Sequence, residues 1–279
     1  MKHPYCIPPL ALLFLGPLAH ADLIVETYQP NRQDRFYVGA DKAFLGQAFN
    51  WSGVGQTSGN NWATMISPSY FVSSAHDHPA PGQTLTFYSD NTTNHPHTYT
   101  VSSFGYTTTY PGGTSSDLWL GELTAPIPAA DHITSYPVLS LASNSKYVGL
   151  EIYVNGLPDR VGRNIVNFVG PVNDSGQFTQ SMEYDYSAVG VGPDEAYLNN
   201  GDSGGPTFTN SNGTLALLGI HFGRYTAFPI SVDSFVPYYV PQLDAHMAAE
   251  QVLVILPEPP VLPLFALALI PLLTCRRRA

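Results

Sequence analysis

Gly201-Asp202-Ser203-Gly204-Gly205-Pro206 is the stretch whose meaning governs the rest of the chain. A serine hydroxyl has a pKa far above neutrality and is a poor nucleophile until a base takes its proton. Acyl transfer also needs donors aimed at the oxyanion that develops. The glycines around Ser203 permit a tight, exposed loop. Gly201, having no Cβ, lets a carbonyl group approach the backbone N–H groups of Gly201 and Ser203. The plain alternative is a glycine-rich turn between two strands. On the chemical reading Ser203 requires a base, and the base requires an acid to orient it.

Two upstream segments supply them. Ile66-Ser67-Pro68-Ser69-Tyr70-Phe71-Val72-Ser73-Ser74-Ala75-His76 reads as strand, turn and strand ending on a histidine, and Ser116-Asp117-Leu118-Trp119-Leu120 sets an acid before an apolar strand. Together with the serine loop, in the order His, Asp, Ser, these segments resemble the trypsin/chymotrypsin-like serine peptidases. Subtilisins and α/β-hydrolases use other orders. The resemblance covers roughly Asn61 to Gly223.

The resemblance implies an all-β fold of two antiparallel six-stranded barrels with the active site in the cleft between them and a short C-terminal helix. It also implies roles: Ser203 as nucleophile, His76 as general base, Asp117 holding the imidazole, and the N–H groups of Gly201 and Ser203 as the oxyanion hole. Asp202 is expected beneath that loop. In the family this carboxylate pairs with a released N-terminus or an internal partner, and no apolar activation end stands out here. Asp77 is a rival for the orienting acid, but side chains adjacent on an extended or turning segment diverge, which favours Asp117.

By the same resemblance, Tyr197, six residues before the nucleophile, lies at the base of the specificity pocket. With no acid at that place, cleavage after Arg or Lys is not expected, although Asp194 and Glu195 are close in sequence. The opposite wall, Gly219-Ile220-His221-Phe222-Gly223, is similar to the Gly-Ile-His segment of glutamyl endopeptidases, whose His contacts the substrate carboxylate. The expected pocket is therefore Tyr197, His221, Phe222 and Gly223. Preference for Glu and preference for medium apolar side chains both stay open.

Composition agrees with a β-rich body: 279 residues, 44% hydrophobic and only 11% charged, with 24 Gly, 25 Pro and 17 Tyr. The first barrel is expected to end near residue 125. The proline-rich Ala125 to Ala130 links it to a second half starting near residue 138, and Pro241 to Ile255 is expected to form the terminal helix. Asp22 to Gln47 has no clear period and either wraps the fold or is a propeptide. Between the terminal segments lie 7 basic and 20 acidic residues, a net charge near −13. Such a surface repels nucleic acid and anionic lipid. His76-Asp77-His78 and His95-Pro96-His97 lack the spacing of a zinc motif, so neither a metal nor another cofactor is expected.

Both ends read as addresses. Lys2, an apolar run from Ile7 to Leu18 and Ala19-His20-Ala21 have the order of a secretory signal peptide, residues 1–21, for a signal peptidase to remove. Residues 22–250 then form the peptidase domain. Within residues 251–279, Pro257-Glu258-Pro259, an apolar stretch and Arg276-Arg277-Arg278 resemble the PEP-CTERM sorting signal, which implies an exosortase-type enzyme and membrane contact only before processing. Cys6 and Cys275 both fall in these segments, so the body is expected to have no disulfide. The expected destination is outside the cell or on the envelope surface of a Gram-negative bacterium, and the expected partner is a protein or peptide substrate. Two other readings stay open: a catalytically silent binding module on the same scaffold, and a protein of the extracellular matrix.

Overall fold

A computed structural model describes residues 22–174, 177–187, 190–225 and 227–256. Both expected address segments lie largely outside them. The described chain opens with β1 (Ile24–Val25) and the one-turn helix α1 (Pro30–Gln33). Six strands follow: β2 (Val54–Gln56), β3 (Trp62–Met65), β4 (Tyr70–Ser74), β5 (Thr84–Tyr88), β6 (Pro96–Tyr110) and β7 (Thr114–Leu123). They close into a barrel in the order β2-β3-β4-β7-β6-β5. Its interior is filled by Met65, Phe71, Leu85, Phe87, Val101 and Trp119.

Strands β4 and β7 are buried on both faces, and this follows from the period-2 alternation of their side chains. Phe71 and Trp119 point into the barrel. Their neighbours Tyr70, Val72, Leu118 and Leu120 enter a second cluster with Phe208, Leu217 and Ile220 of the other half. Burying each such side chain contributes roughly 1.5–3 kcal/mol. The strand that leads to the His candidate and the strand that carries the Asp candidate are thus clamped from both sides. Gly121 is required between them, because a Cβ there would meet Trp119 Cζ3 at 2.2 Å and Phe71 Cζ at 2.5 Å.

The second half contains β8 (Val138–Leu139), β9 (Glu151–Gly156), β10 (Arg160–Ile165), β11 (Phe168–Asp174), β12 (Gln177–Asp185), β13 (Ala196–Tyr197), β14 (Pro206–Ser211), β15 (Thr214–Tyr225), β16 (Ile230–Phe235), α2 (Val236–His246) and β17 (Val254–Ile255). Seven strands run antiparallel in the order β10-β9-β14-β15-β16-β12-β11. The molecule is mostly β, with the two barrel halves that the resemblance implies.

Three expectations need correction. The second sheet has nine strands rather than six, since β8 pairs in parallel with β15 and β17 pairs in parallel with β8. The terminal helix is α2, which starts before Pro241: Pro237 sits in its first turn, where no N–H is needed, and Ala248 at φ 49° lies just past its end. Val254 and Ile255, β-branched, then extend as a strand instead of continuing a helix. The fold therefore runs past the expected boundary at residue 250, with Val252 in the core.

The segment from Asp22 to Gln47 wraps both halves. Ile24 and Val25 pair with Tyr197 and Ala196. Leu23 and Gln33 are fully buried. Arg32 donates to both carboxylate oxygens of Asp194 at 2.6 Å. Arg35, 1% exposed, reaches carbonyl oxygens of Tyr88 and Asp90 on the first barrel and stands 3.9 Å from Asp159 of the second half.

Candidate active site

Strand register brings the first two site residues together. Ser74 faces Leu118 across β4 and β7, and the Ala75 N–H continues the ladder to the Asp117 carbonyl at 2.9 Å. His76 follows at the open end of the strand. The Asp117 carboxylate, fully buried, holds both oxygens 2.9 Å from His76 Nδ1 and accepts the His76 N–H at 3.1 Å. A carboxylate only accepts, so Nδ1 carries the ring proton and Nε2 is the acceptor. Nε2 lies 2.9 Å from Ser203 Oγ.

Burial pulls the His76 pKa down, but the hydrogen bond and charge of Asp117, aided by the charge of Asp77, outweigh it and leave it raised. Burial pushes the Asp117 carboxyl up, and His76 offsets part of that. Asp77 itself takes a hydrogen bond from Asn61 Nδ2, and its carbonyl accepts Ser74 Oγ at 2.8 Å, so its side chain is committed elsewhere.

The serine loop joins β13 to β14. Gly201 (φ 98°) and Gly204 (φ 82°) adopt the left-handed backbone that favours glycine. The loop is framed by Gly204 N–H to His221 O at 3.0 Å and Gly205 N–H to Asp202 O at 2.9 Å. The N–H groups of Gly201 and Ser203 meet no acceptor among the described residues. Both are left as free donors on the nucleophile loop, which an oxyanion hole needs.

Asp202 is fully buried beneath the loop and is held by N–H groups of Leu157 (2.8 Å) and Asn199 (2.7 Å). Burial nevertheless pushes its pKa up to about 6. Leu23 packs beside it, with its N–H donating to Leu157 O at 2.9 Å. Gly156 separates the two, since a Cβ there would come within 2.5 Å of Asp202 Oδ1 and 3.1 Å of Leu23 Cβ.

A cavity of about 410 Å³ opens at Ser203, lined also by Leu198, Asn199, Asn200, Asp202, Phe222 and Arg224. Gly223 and His221 border it too, but His221 is not the substrate contact that was expected. Its ring is fully buried, with Nδ1 2.9 Å from Asp233 Oδ1 and Nε2 3.0 Å from Asn155 O, both acceptors. An acceptor at each ring nitrogen calls for a proton on both, and the Asp233 carboxylate sits against the charge this gives; burial lowers the His221 pKa, and Asp233 more than reverses that. Both donors are spent. Tyr197 is also largely withdrawn: its hydroxyl donates to Tyr225 O at 2.9 Å and its ring lies under the Arg224 guanidinium. Phe222 places its ring 6.2 Å from that of His76.

Asp194 and Glu195 point away from the cavity, Asp194 being bound by Arg32, Arg163 and Gln33, and Glu195 lying against Ser187. His95 and His97 form pairs with Asp90 and Asp131. No group of three or more His, Cys, Asp or Glu placed to hold a metal occurs among the described residues. Arg224 was not singled out by sequence; a lone arginine after a glycine carries no signal until the fold shows what lies around it.

A family model described as Trypsin matches residues 38–237. No curated protein matches the chain. Among solved structures, a double mutant of human heparin binding protein superposes with a TM-score of 0.52 at 15% identity, covering 72% of this chain and 94% of that one. At that identity the likeness speaks to the fold alone.

Proposed function

Given that the chain belongs to the trypsin family, a serine peptidase family, we propose that it is an exported serine endopeptidase with Ser203, His76 and Asp117 as its catalytic triad. The observation that carries this is the unbroken chain from Ser203 Oγ to His76 Nε2 at 2.9 Å and from His76 Nδ1 to Asp117 at 2.9 Å. Ser203 Oγ attacks the scissile carbonyl carbon while its proton passes to His76 Nε2. The N–H groups of Gly201 and Ser203 hold the oxyanion. As the C–N bond breaks, Nε2 returns the proton to the leaving amine, and an acyl-enzyme remains. Water repeats the sequence with His76 as base and releases the acid. Asp117 stays ionised throughout and keeps Nδ1 protonated.

Export rests on the two terminal segments, whose apolar and basic stretches lie outside the described residues. Residues 1–21 are proposed to be removed by a signal peptidase, and the apolar stretch with its arginine tail to address the protein to an exosortase-type enzyme at the envelope. The heparin binding in the structural neighbour's name is not carried across, because a body near −13 repels a polyanion. The test is labelling of the purified protein with a fluorophosphonate, beside Ser203→Ala. Covalent label in the first and none in the second is the expected outcome; equal labelling, or no label in either, removes the peptidase reading.

A further inference from the structure

We propose that Arg224 selects the substrate, its guanidinium pairing with the carboxylate of an acidic side chain on the acyl side of the cleaved bond. This deepens the peptidase reading and rests on it. Arg224 lines the cavity that opens at Ser203. Its position there is built rather than incidental: Nη1 donates to Leu198 O at 3.1 Å, and the guanidinium carbon lies 5.3 Å from the centre of the Tyr197 ring. Carbonyl and ring face together hold a planar cation from one side.

The other arginines among the described residues are placed differently. Arg32 binds Asp194; Arg35 faces Asp159; Arg160 binds Asp22 and Asp34; Arg163 binds Glu151 and Asp194. Each lies within 3.9 Å of a carboxylate. Arg224 meets none among the described residues, in a body where 20 acids outnumber 7 bases. A guanidinium has five N–H donors and no acceptor. Among the described residues, only the contact to Leu198 O engages them.

The remaining polar groups around the cavity favour the same occupant. The carboxylate of Asp202 is taken by the N–H groups of Leu157 and Asn199. The charge of His221 is answered by Asp233. Asn199 and Asn200 are neutral amides able to donate to an anion. A side chain entering from Ser203 therefore meets one basic group without an acidic partner among the described residues, Arg224, while Asp202, fully buried, keeps its carboxyl on the N–H groups of Leu157 and Asn199. An acidic side chain completes that charge, whereas a basic one would meet it as like charge. Residues that recognise acid by a histidine in the glutamyl-endopeptidase manner are not required, since His221 is closed off.

The test uses the purified protein and peptides identical except at the residue before the cleaved bond: Glu, Asp, Gln, Leu or Lys. Glu is expected to exceed its neutral isostere Gln in kcat/KM by roughly 10- to 100-fold, the range for a hydrogen bond to a charged group. Arg224→Gln should bring the Glu-to-Gln ratio close to one, Arg224→Lys should keep part of it, and Arg224→Glu should favour Lys. An unchanged ratio in Arg224→Gln overturns the proposal, as does a wild-type enzyme that cleaves but ignores the acid. In both cases fluorophosphonate labelling of Ser203 shows that the peptidase reading still stands. Where the protein neither labels nor cleaves, that reading is the one that fails. Calorimetry with peptides ending in Glu or Gln on Ser203→Ala then decides Arg224 separately, and equal affinities overturn it.

Discussion

His76 lies between opposing influences, and its titration reports which of them prevails. Burial alone would lower its pKa, but Asp117 raises it above the ordinary 6.5. The base must be neutral to take the Ser203 proton. Activity is therefore expected to be lost as pH falls, through a limb lying above 6.5 in the kcat/KM profile. Asp117→Asn removes the raising influence and the tautomer control together. That limb should move to lower pH, and kcat should drop by about 10⁴-fold, a size carried over from the same change in the family's template rather than derived for this chain. A limb that stays in place would show that Asp117 does not set the base.

At the scale of the element, β1 has the greatest leverage for its length. Two residues pair with Ala196 and Tyr197, and Leu23 just before them is buried against the pocket that holds Asp202. Leu23→Ala is expected to cost about 2–5 kcal/mol, the range for emptying a buried leucine site. It should also reduce the rate of Ser203 labelling, because the support beneath Asp202 and hence the serine loop loosens. Denaturant melts give the first quantity and labelling kinetics the second. A large stability loss with unchanged labelling would make β1 a packing element alone. The same segment was read from sequence as either a wrap or a propeptide. The β1 partners, Ala196 and Tyr197, lie more than a hundred residues away, and a short polar stretch without a period gives no hint of them.

The whole molecule should be more stable on the acid side of neutrality. Asp202 and Asp159 are pushed up to about 6 by burial, so each binds a proton more readily folded than unfolded. That contribution is in place below the ordinary 3.8 and is lost as pH rises through about 6. His76 and His221 are raised as well, so their contribution is present below 6.5 and is lost above it. The opposite cases, Asp194 and Asp90, are lowered and matter only as pH falls below 3.8. The signs therefore agree between about pH 5 and 8. Thermal melts should show a higher Tm at pH 5.5 than at pH 8, and the reverse order would mean that the buried carboxylates stay ionised at little cost. No cysteine falls among the described residues, so the fold relies on its packed clusters and on the Arg32, Arg35 and Arg160 contacts of its N-terminal wrap.

The sequence by itself determined the strands around His76 and Asp117, the glycine-framed loop of Ser203 and the β character of the chain, because alternation and glycine placement are local and leave a mark within a few residues. It also marked Ser203, His76 and Asp117 as a set, through their order and immediate neighbours. Only the tertiary structure decided what each polar group faces. His221 looked like a substrate contact until Asp233 and Asn155, brought in from β16 and β9, were seen to occupy both ring nitrogens. Arg224 looked like any surface arginine until the fold set it beside Ser203 without an acid. Val254 and Ile255 looked like the end of a helix until β8 offered them an edge. The physical reason is common to all three: charge compensation and strand pairing depend on groups distant in sequence, and the chain records its own side chains but not which of them folding will make neighbours.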